Sequence, residues 1–192
     1  MGREGATSLV RVAVLVRAGS GPLWWSGVLA AGIGAVPPGI TGRRIGVLAG
    51  AVLLLLAFAA VALVRGRRYT HFARTATRAA RSAYLQDRGV TIRNWRRSHR
   101  WWLLLAFLAA VGSSFAVPAA GGLLLAGCGA GLWAKAVRLG RLERSRECLL
   151  WVRTDWIAKG AVGKPVRGFQ STGIAAGDAA PGGARRRSTV AV

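Results

Sequence analysis

The chain reads as an all-α membrane protein: four transmembrane helices in two hairpins, with basic amphipathic cytoplasmic helices attached. Three observations predict this. Uncharged runs cover 18–42, 45–64 and 101–134. The pairs Trp24-Trp25 and Trp101-Trp102 each open an apolar stretch. The basic residues, 28 Lys and Arg against six Asp and Glu, lie mostly between or after those stretches. A helix of ~20 residues rises about 30 Å, the thickness of a bilayer's hydrocarbon core. Ile45–Val64 has that length.

The elements follow in order. Residues 1–22 form an N-terminal segment with three Arg. Residues 23–64 form the first hairpin: Leu23 runs to Ile40, bends at Pro37-Pro38-Gly39, and Ile45–Val64 returns. Residues 65–100 form a basic helical segment. The run 101–134 is too long for one ordinary span, and Pro118 with Gly121-Gly122 supplies a break, because Pro cannot donate the helical hydrogen bond and Gly tolerates turn dihedrals. The second hairpin, 101–137, therefore has spans at 102–118 and 120–137, with Lys135 snorkelling towards headgroups. A cytoplasmic helix over 138–159 continues the fourth span. The remainder, 160–192, is Gly-, Ala- and Pro-rich, ends in Arg185-Arg186-Arg187, and reads as a disordered cationic tail.

Orientation follows from the distribution of Arg and Lys, since basic loops are retained on the cytoplasmic side. Segment 65–100 holds eleven Arg, and the region after Ala134 holds twelve Arg or Lys. Only Arg43 and Arg44 face outward in a four-span arrangement. A three-span alternative, with 18–42 peripheral, places five outside. Four spans, with both termini cytoplasmic in a bacterial inner membrane, fit better. Trp24, Trp25, Trp101 and Trp102 then become interface anchors at the start of each outward helix.

Function is expected in the basic segments. With a formal charge of +22, the cytoplasmic face must meet something anionic: lipid headgroups, nucleic acid or an acidic protein. Arg74, Arg78 and Arg81 fall on one face of a helix expected over Tyr69–Gln86, with Ala76, Ala79, Ala80 and Ala83 among its small apolar residues. Arg93, Arg96, Arg97 and Arg100 lead into the second Trp pair, and Arg138, Arg141 and Arg144 occupy the helix after the fourth span. These ten arginines are the candidate contacts to an anionic partner. On a membrane they meet phosphates, with Trp95 at the interface. On nucleic acid, Trp95 or Tyr84 stacks on a base. Glu143 and Glu147 are read as surface helix pairs, Glu143 with Arg146. Leu142, Leu149, Leu150, Val152, Trp156 and Ile157 form an apolar face that calls for a cover, either the 69–86 helix or a partner. Gly46 and Gly50, and Gly127 and Gly131, form two GxxxG pairs that permit close backbone approach, within one subunit or in a homo-oligomer.

The sequence shows little chemistry of its own. His71 and His99 have no Cys or carboxylate at ligand spacing, so no metal site is expected. Gly127-Cys128-Gly129 follows no strand and is not a phosphate loop. Cys128 and Cys148 are read as reduced packing cysteines. Ser26, Thr41, Ser113, Ser114 and Cys128 supply polar atoms in or beside the spans and are read as helix-packing residues. Ser113-Ser114 is expected to hydrogen-bond back to the preceding turn. No Asp, Glu, Arg or His lies inside a proposed span, which argues against a coupled transporter. No cofactor and no enzymatic activity are expected.

The layout of apolar spans around Arg93–Arg100 and Arg138–Arg146, with the Arg-rich tail, resembles the small membrane spread proteins of actinomycete conjugative plasmids. The 25 Arg against 3 Lys suit a GC-rich genome. That resemblance implies DNA binding, oligomerisation and a DNA translocase as partner. The expected function is a self-associating scaffold or pore component that presents an Arg-rich face to an anionic partner, DNA during plasmid transfer included. The alternative is a small transport or channel subunit. Reporter fusions at residues 40, 85, 120 and 185 check the topology: inward signals are expected at 85 and 185, outward signals at 40 and 120. An outward signal at 85 overturns the orientation.

Overall fold

Four helices running alternately up and down stand under a small α/β cap, and the same helix that centres the bundle also carries the cap. The computed structural model describes residues 8–37, 39–80 and 83–173. Strand β1 (Ser8–Arg11) leads into α1 (Val12–Ala18) and α2 (Ser20–Gly34), and α3 (Arg43–Leu63) returns. Next come α4 (Gly66–Arg74), β2 (Thr77–Arg78), β3 (Tyr84–Leu85), α5 (Arg88–Ser113) and α6 (Ala120–Ser145). The chain closes with β4 (Cys148–Arg153), a 3-10 turn over Thr154–Lys159 and β5 (Gln170–Gly173).

The two expected hairpins are present as α2–α3 and α5–α6, and their turns meet at one end. The Ile40 and Thr41 amides donate to the Phe115 and Ala116 carbonyls at 3.2 and 3.4 Å, and the Ala119 amide donates to Gly34. Two segments are long and apolar enough to cross a membrane, Arg43–Arg74 and Ala120–Ser145. α2 has 15 residues, about 22 Å of rise, so the expectation of four full spans reduces here to two. The bundle surface is nonetheless apolar on all sides. In the 18-residue window of the Arg43–Arg74 segment only 11% is buried, and Leu48, Leu55 and Leu56 on α3 and Leu105 and Leu108 on α5 are exposed. A soluble core helix would bury those side chains.

The bundle interior is built from small residues instead. α6 presents Gly122, Ala126 and Gly129 to α2 and Gly127 and Gly131 to α3. A Cβ on Gly129 would lie 2.5 Å from the Trp24 amide nitrogen, and one on Gly131 would lie 2.8 Å from the Phe58 carbonyl. Gly46 and Gly50 on α3 meet the second hairpin's turn, 2.5 Å from Pro118 and 2.6 Å from Leu123 by the same construction. All four GxxxG glycines are thus taken up inside one chain. Ser113 and Ser114 donate back to the Ala110 carbonyl as expected. Trp25, Trp101 and Trp102 are exposed. Gly19 touches Trp95, and Trp24 lies five residues beyond the first contact and Trp101 six beyond the second, so the two pairs sit at nearly one level.

The cap departs from the all-α expectation. Its five-stranded sheet has the order β2-β5-β4-β1-β3, with β4 antiparallel to β1 and β5, and the two-residue edge strands parallel to their neighbours. The 138–159 helix ends at Ser145; Glu147 turns the chain with φ 51°, and the run Leu149-Leu150-Trp151-Val152 becomes a strand buried on both faces. Continuous apolar β-formers suit such a strand better than a half-exposed helix. Leu150 and Val152 face the main core with Val10, Leu139 and Phe169, and Leu149 and Trp151 face a smaller cluster with Leu9.

The helix expected over 69–86 ends at Arg74. Beyond it Thr77 and Arg78 pair with Gln170 and Ser171, and Ala79 and Ala83 pack beneath Trp151. The disordered tail expected from residue 160 is ordered up to residue 173: Ala161, Val162, Val166 and Phe169 are buried, and Gln170–Gly173 pairs with β4. Residues 174–192 lie outside the described part. Lys135 does not snorkel outward. It is buried, and its Nζ donates to the Val64 carbonyl at 3.0 Å, satisfying an orphan acceptor at the negative end of α3.

Backbone atoms surround the α6-facing glycines, so a methyl group there has nowhere to go. Gly27→Ala, aimed at the Gly122 carbonyl 2.7 Å away, is expected to cost about 3 kcal/mol or more. Gly32→Ala on the same helix meets nothing within 4 Å and should gain up to about 1 kcal/mol. Thermal unfolding in detergent measures both, and equal effects would refute the packing assignment.

Candidate functional site

Where the cap joins the bundle, a groove of about 990 Å³ runs between α1, the start of α2, the first turns of α5 and the outer face of α6. Six arginines line it: Arg11, Arg17, Arg88, Arg96, Arg141 and Arg144. Local geometry explains their convergence. Arg88, Ile92 and Arg96 recur every four residues on α5 and so share a face. On α6, Trp133, Val137, Gly140, Arg141 and Arg144 follow the same spacing and form the opposite wall. The Asp87 side chain accepts from the Gly89 amide at 3.0 Å and starts α5, which fixes the first turn that carries Arg88.

Arg11 differs from the other five. Its Nη2 donates to Glu143 Oε2 at 2.7 Å and its Nε at 3.2 Å. Glu143 is 2% exposed and also accepts from the Leu150 amide through Oε1 at 3.1 Å. One carboxylate therefore joins β1, α6 and β4. Glu143 was expected on a helix surface beside Arg146, but it is buried at the sheet and pairs with Arg11. Among the described residues, no carboxylate lies within ion-pair distance of Arg17, Arg88, Arg96, Arg141 or Arg144. All five are exposed at the groove. The second ion pair, Arg153–Asp155, is on the cap surface, where the Arg153 hydrogen bond holds the Asp155 carboxyl below its ordinary range.

Of the ten arginines singled out in the sequence, the groove gathers Arg96, Arg141 and Arg144. Arg93, Arg97 and Arg100 share α5 with Arg96 and are exposed outside the groove lining, and Arg100 lies over the Trp101 ring at 5.5 Å. Arg138 is exposed on α6, Arg74 ends α4, and Arg78 sits on edge strand β2. Arg81 falls outside the described residues. Trp95, proposed to stack on a base, is partly buried against Gly19 and stacks on His99 at 4.4 Å. Tyr84 is 65% exposed at the sheet edge. The sequence reading missed Arg11, Arg17 and Arg88. The Arg88-Ile92-Arg96 spacing was a usable signal for the third. Nothing local places residues 11 and 17 beside residue 141.

No family model, curated protein or solved structure matches this chain. Geometry and charge alone therefore carry the functional assignment. The groove is concave and of a volume typical for one small amphiphilic ligand. Unpaired guanidiniums present fixed forks of donors suited to phosphate or carboxylate oxygens.

The Glu143 carboxylate is the structural key to the groove floor. Glu143→Ala leaves Arg11 and the Leu150 amide without their acceptor and is expected to cost roughly 3–5 kcal/mol. Glu143→Gln keeps one acceptor for Leu150 and should cost less. Unfolding midpoints of the two variants check the order, and an Ala variant as stable as wild type would contradict it.

Proposed function

We propose that this chain is a non-enzymatic, four-span inner-membrane protein that presents an arginine-rich cytoplasmic face to an anionic partner at the membrane surface. The observation that carries the proposal is the groove: five guanidiniums, without carboxylate partners among the described residues, open beside an apolar bundle ringed by exposed tryptophans. Two helices of sufficient length and apolarity support membrane residence. α2 and the apolar part of α5 are shorter, and the proposal has them cross as the outer legs of their hairpins beside α3 and α6. Exposed Trp on α2, α5 and α6 supports an interface at that level. The positive face then lies where the leaflet is anionic and attracts basic segments.

Self-association is not needed for this role, because the glycines that invited it are used within the chain. The DNA version drawn from the plasmid-spread resemblance shares the same cationic face. Its base-stacking candidate Trp95 is already occupied by His99, which favours lipid as the partner.

Titration of the purified chain in neutral detergent tests the role. The probes are an anionic phospholipid, a zwitterionic phospholipid with the same chains, and duplex DNA, each across a salt series. Anionic lipid is expected to bind with an affinity that falls as salt rises, and zwitterionic lipid to bind weakly with no salt dependence. A steep salt slope for DNA with no lipid preference moves the partner to nucleic acid. If neither polyanion binds at low salt, the proposal is wrong.

A further inference from the structure

The groove has two chemically distinct ends, and their separation suggests what fills it. Along α6 its lining runs from Gly129, Ala130 and Trp133 at the bundle end to Arg141 and Arg144 at the cap end. Gly129 and Arg144 are fifteen residues apart, about 22 Å along the helix axis. The facing wall repeats the gradient, with Trp24 and Pro22 on α2 below and Arg17 on α1 above. A groove for a free inorganic anion needs no apolar floor. One for an apolar chain alone needs no arginines.

Resting on the membrane role proposed above, we infer that the groove holds one anionic phospholipid, its phosphate between Arg17, Arg96 and Arg141, and one acyl chain along the Ala130–Trp133 wall. Three features support this occupant. Arginine from three separate helices converges without carboxylate compensation among the described residues, so the site has charge to neutralise. Guanidinium forks match phosphate oxygens bidentately, and basic pockets between membrane helices are suited to phospholipid head groups. The apolar end is walled by small residues and two tryptophans, Trp24 and Trp133, a lining that suits hydrocarbon rather than a free anion. Arg11 takes no part in this, because Glu143 already holds it.

The test counts lipid retained by the whole chain. Protein reconstituted in phosphatidylcholine with a minor fraction of phosphatidylglycerol is extracted in mild detergent and weighed intact by native mass spectrometry. One phosphatidylglycerol per chain is expected. Arg17→Gln/Arg96→Gln/Arg141→Gln is expected to lower that occupancy roughly tenfold or more, since each substitution removes a charge-assisted contact to the phosphate. Arg67→Gln/Arg146→Gln/Arg167→Gln removes the same charge outside the groove lining and should leave it unchanged. Ala130→Phe fills the apolar end and should also expel the lipid with every arginine in place. Unfolding midpoints confirm that each variant is folded.

Equal loss in both triple variants overturns the groove site while leaving the general anionic-surface role standing. Inorganic pyrophosphate that displaces the lipid stoichiometrically and binds Ala130→Phe equally well makes the site a free-phosphate one and overturns the lipid assignment. So does a groove variant that loses duplex DNA binding but keeps its lipid. Failure of wild type to retain any anionic probe removes both this inference and the role beneath it.

Discussion

The structure depends on how close two backbones approach α6. On one side of that helix Gly122, Ala126 and Gly129 admit α2, and on another Gly127 and Gly131 admit α3. In a membrane, lipid tails are as apolar as leucine, so helices gain nothing by hiding hydrophobic groups from water. What remains is dispersion and dipole contact over short distances, and that requires side chains small enough to let main chains touch. The bulky residues are displaced to the outside, where Leu48, Leu55 and Leu56 stand exposed. This inverts the usual arrangement of a soluble domain. It also makes α6 the common reference for everything above it, because the same helix continues into the cap and carries Leu139 and Glu143 into the sheet's core.

The helical bundle was more legible in the sequence than the cap, for physical reasons. A run such as Ile45–Val64 has one outcome, since only a helix satisfies its backbone in an apolar medium. Pro118 and the glycines after it could be read as a turn for the same reason. The sheet offered no comparable signal. Its strands are two to six residues long, and their partners are distant: Leu9 opposite Arg153, Thr77 opposite Gln170. β5 is Gln-Ser-Thr-Gly, which has no apolar alternation to betray it. Leu142, Leu149, Trp156 and Ile157 happened to suit a helical face, and that masked the denser β-forming run between them. The groove was half legible. Arg96, Arg141 and Arg144 follow helical spacing, but Arg17 reaches them only after β1 has paired with β4.

The sheet therefore has a positioning role in the site. It turns the N-terminal segment, which in sequence is only a short basic leader to the first apolar run, into a third wall opposite α5 and α6. Arg11 anchors that wall by meeting the buried Glu143. A buried pair of this kind contributes little net stability against an apolar alternative, but breaking it is expensive. Its value lies in fixing which helix faces which.

Lys135 has a consequence of a different kind. Its ammonium sits on the carbonyl of Val64 at the end of α3, under the ring of Tyr69 at 5.7 Å. A one-turn slide of the first hairpin past the second, about 5.4 Å, would leave the ammonium without its acceptor and the carbonyl unpaired. Glycine-faced helices are smooth and have few ridges to prevent such sliding. The lysine works as a vernier mark: it allows only one depth at which the two hairpins agree, and so sets the height at which the cap is held above the bundle.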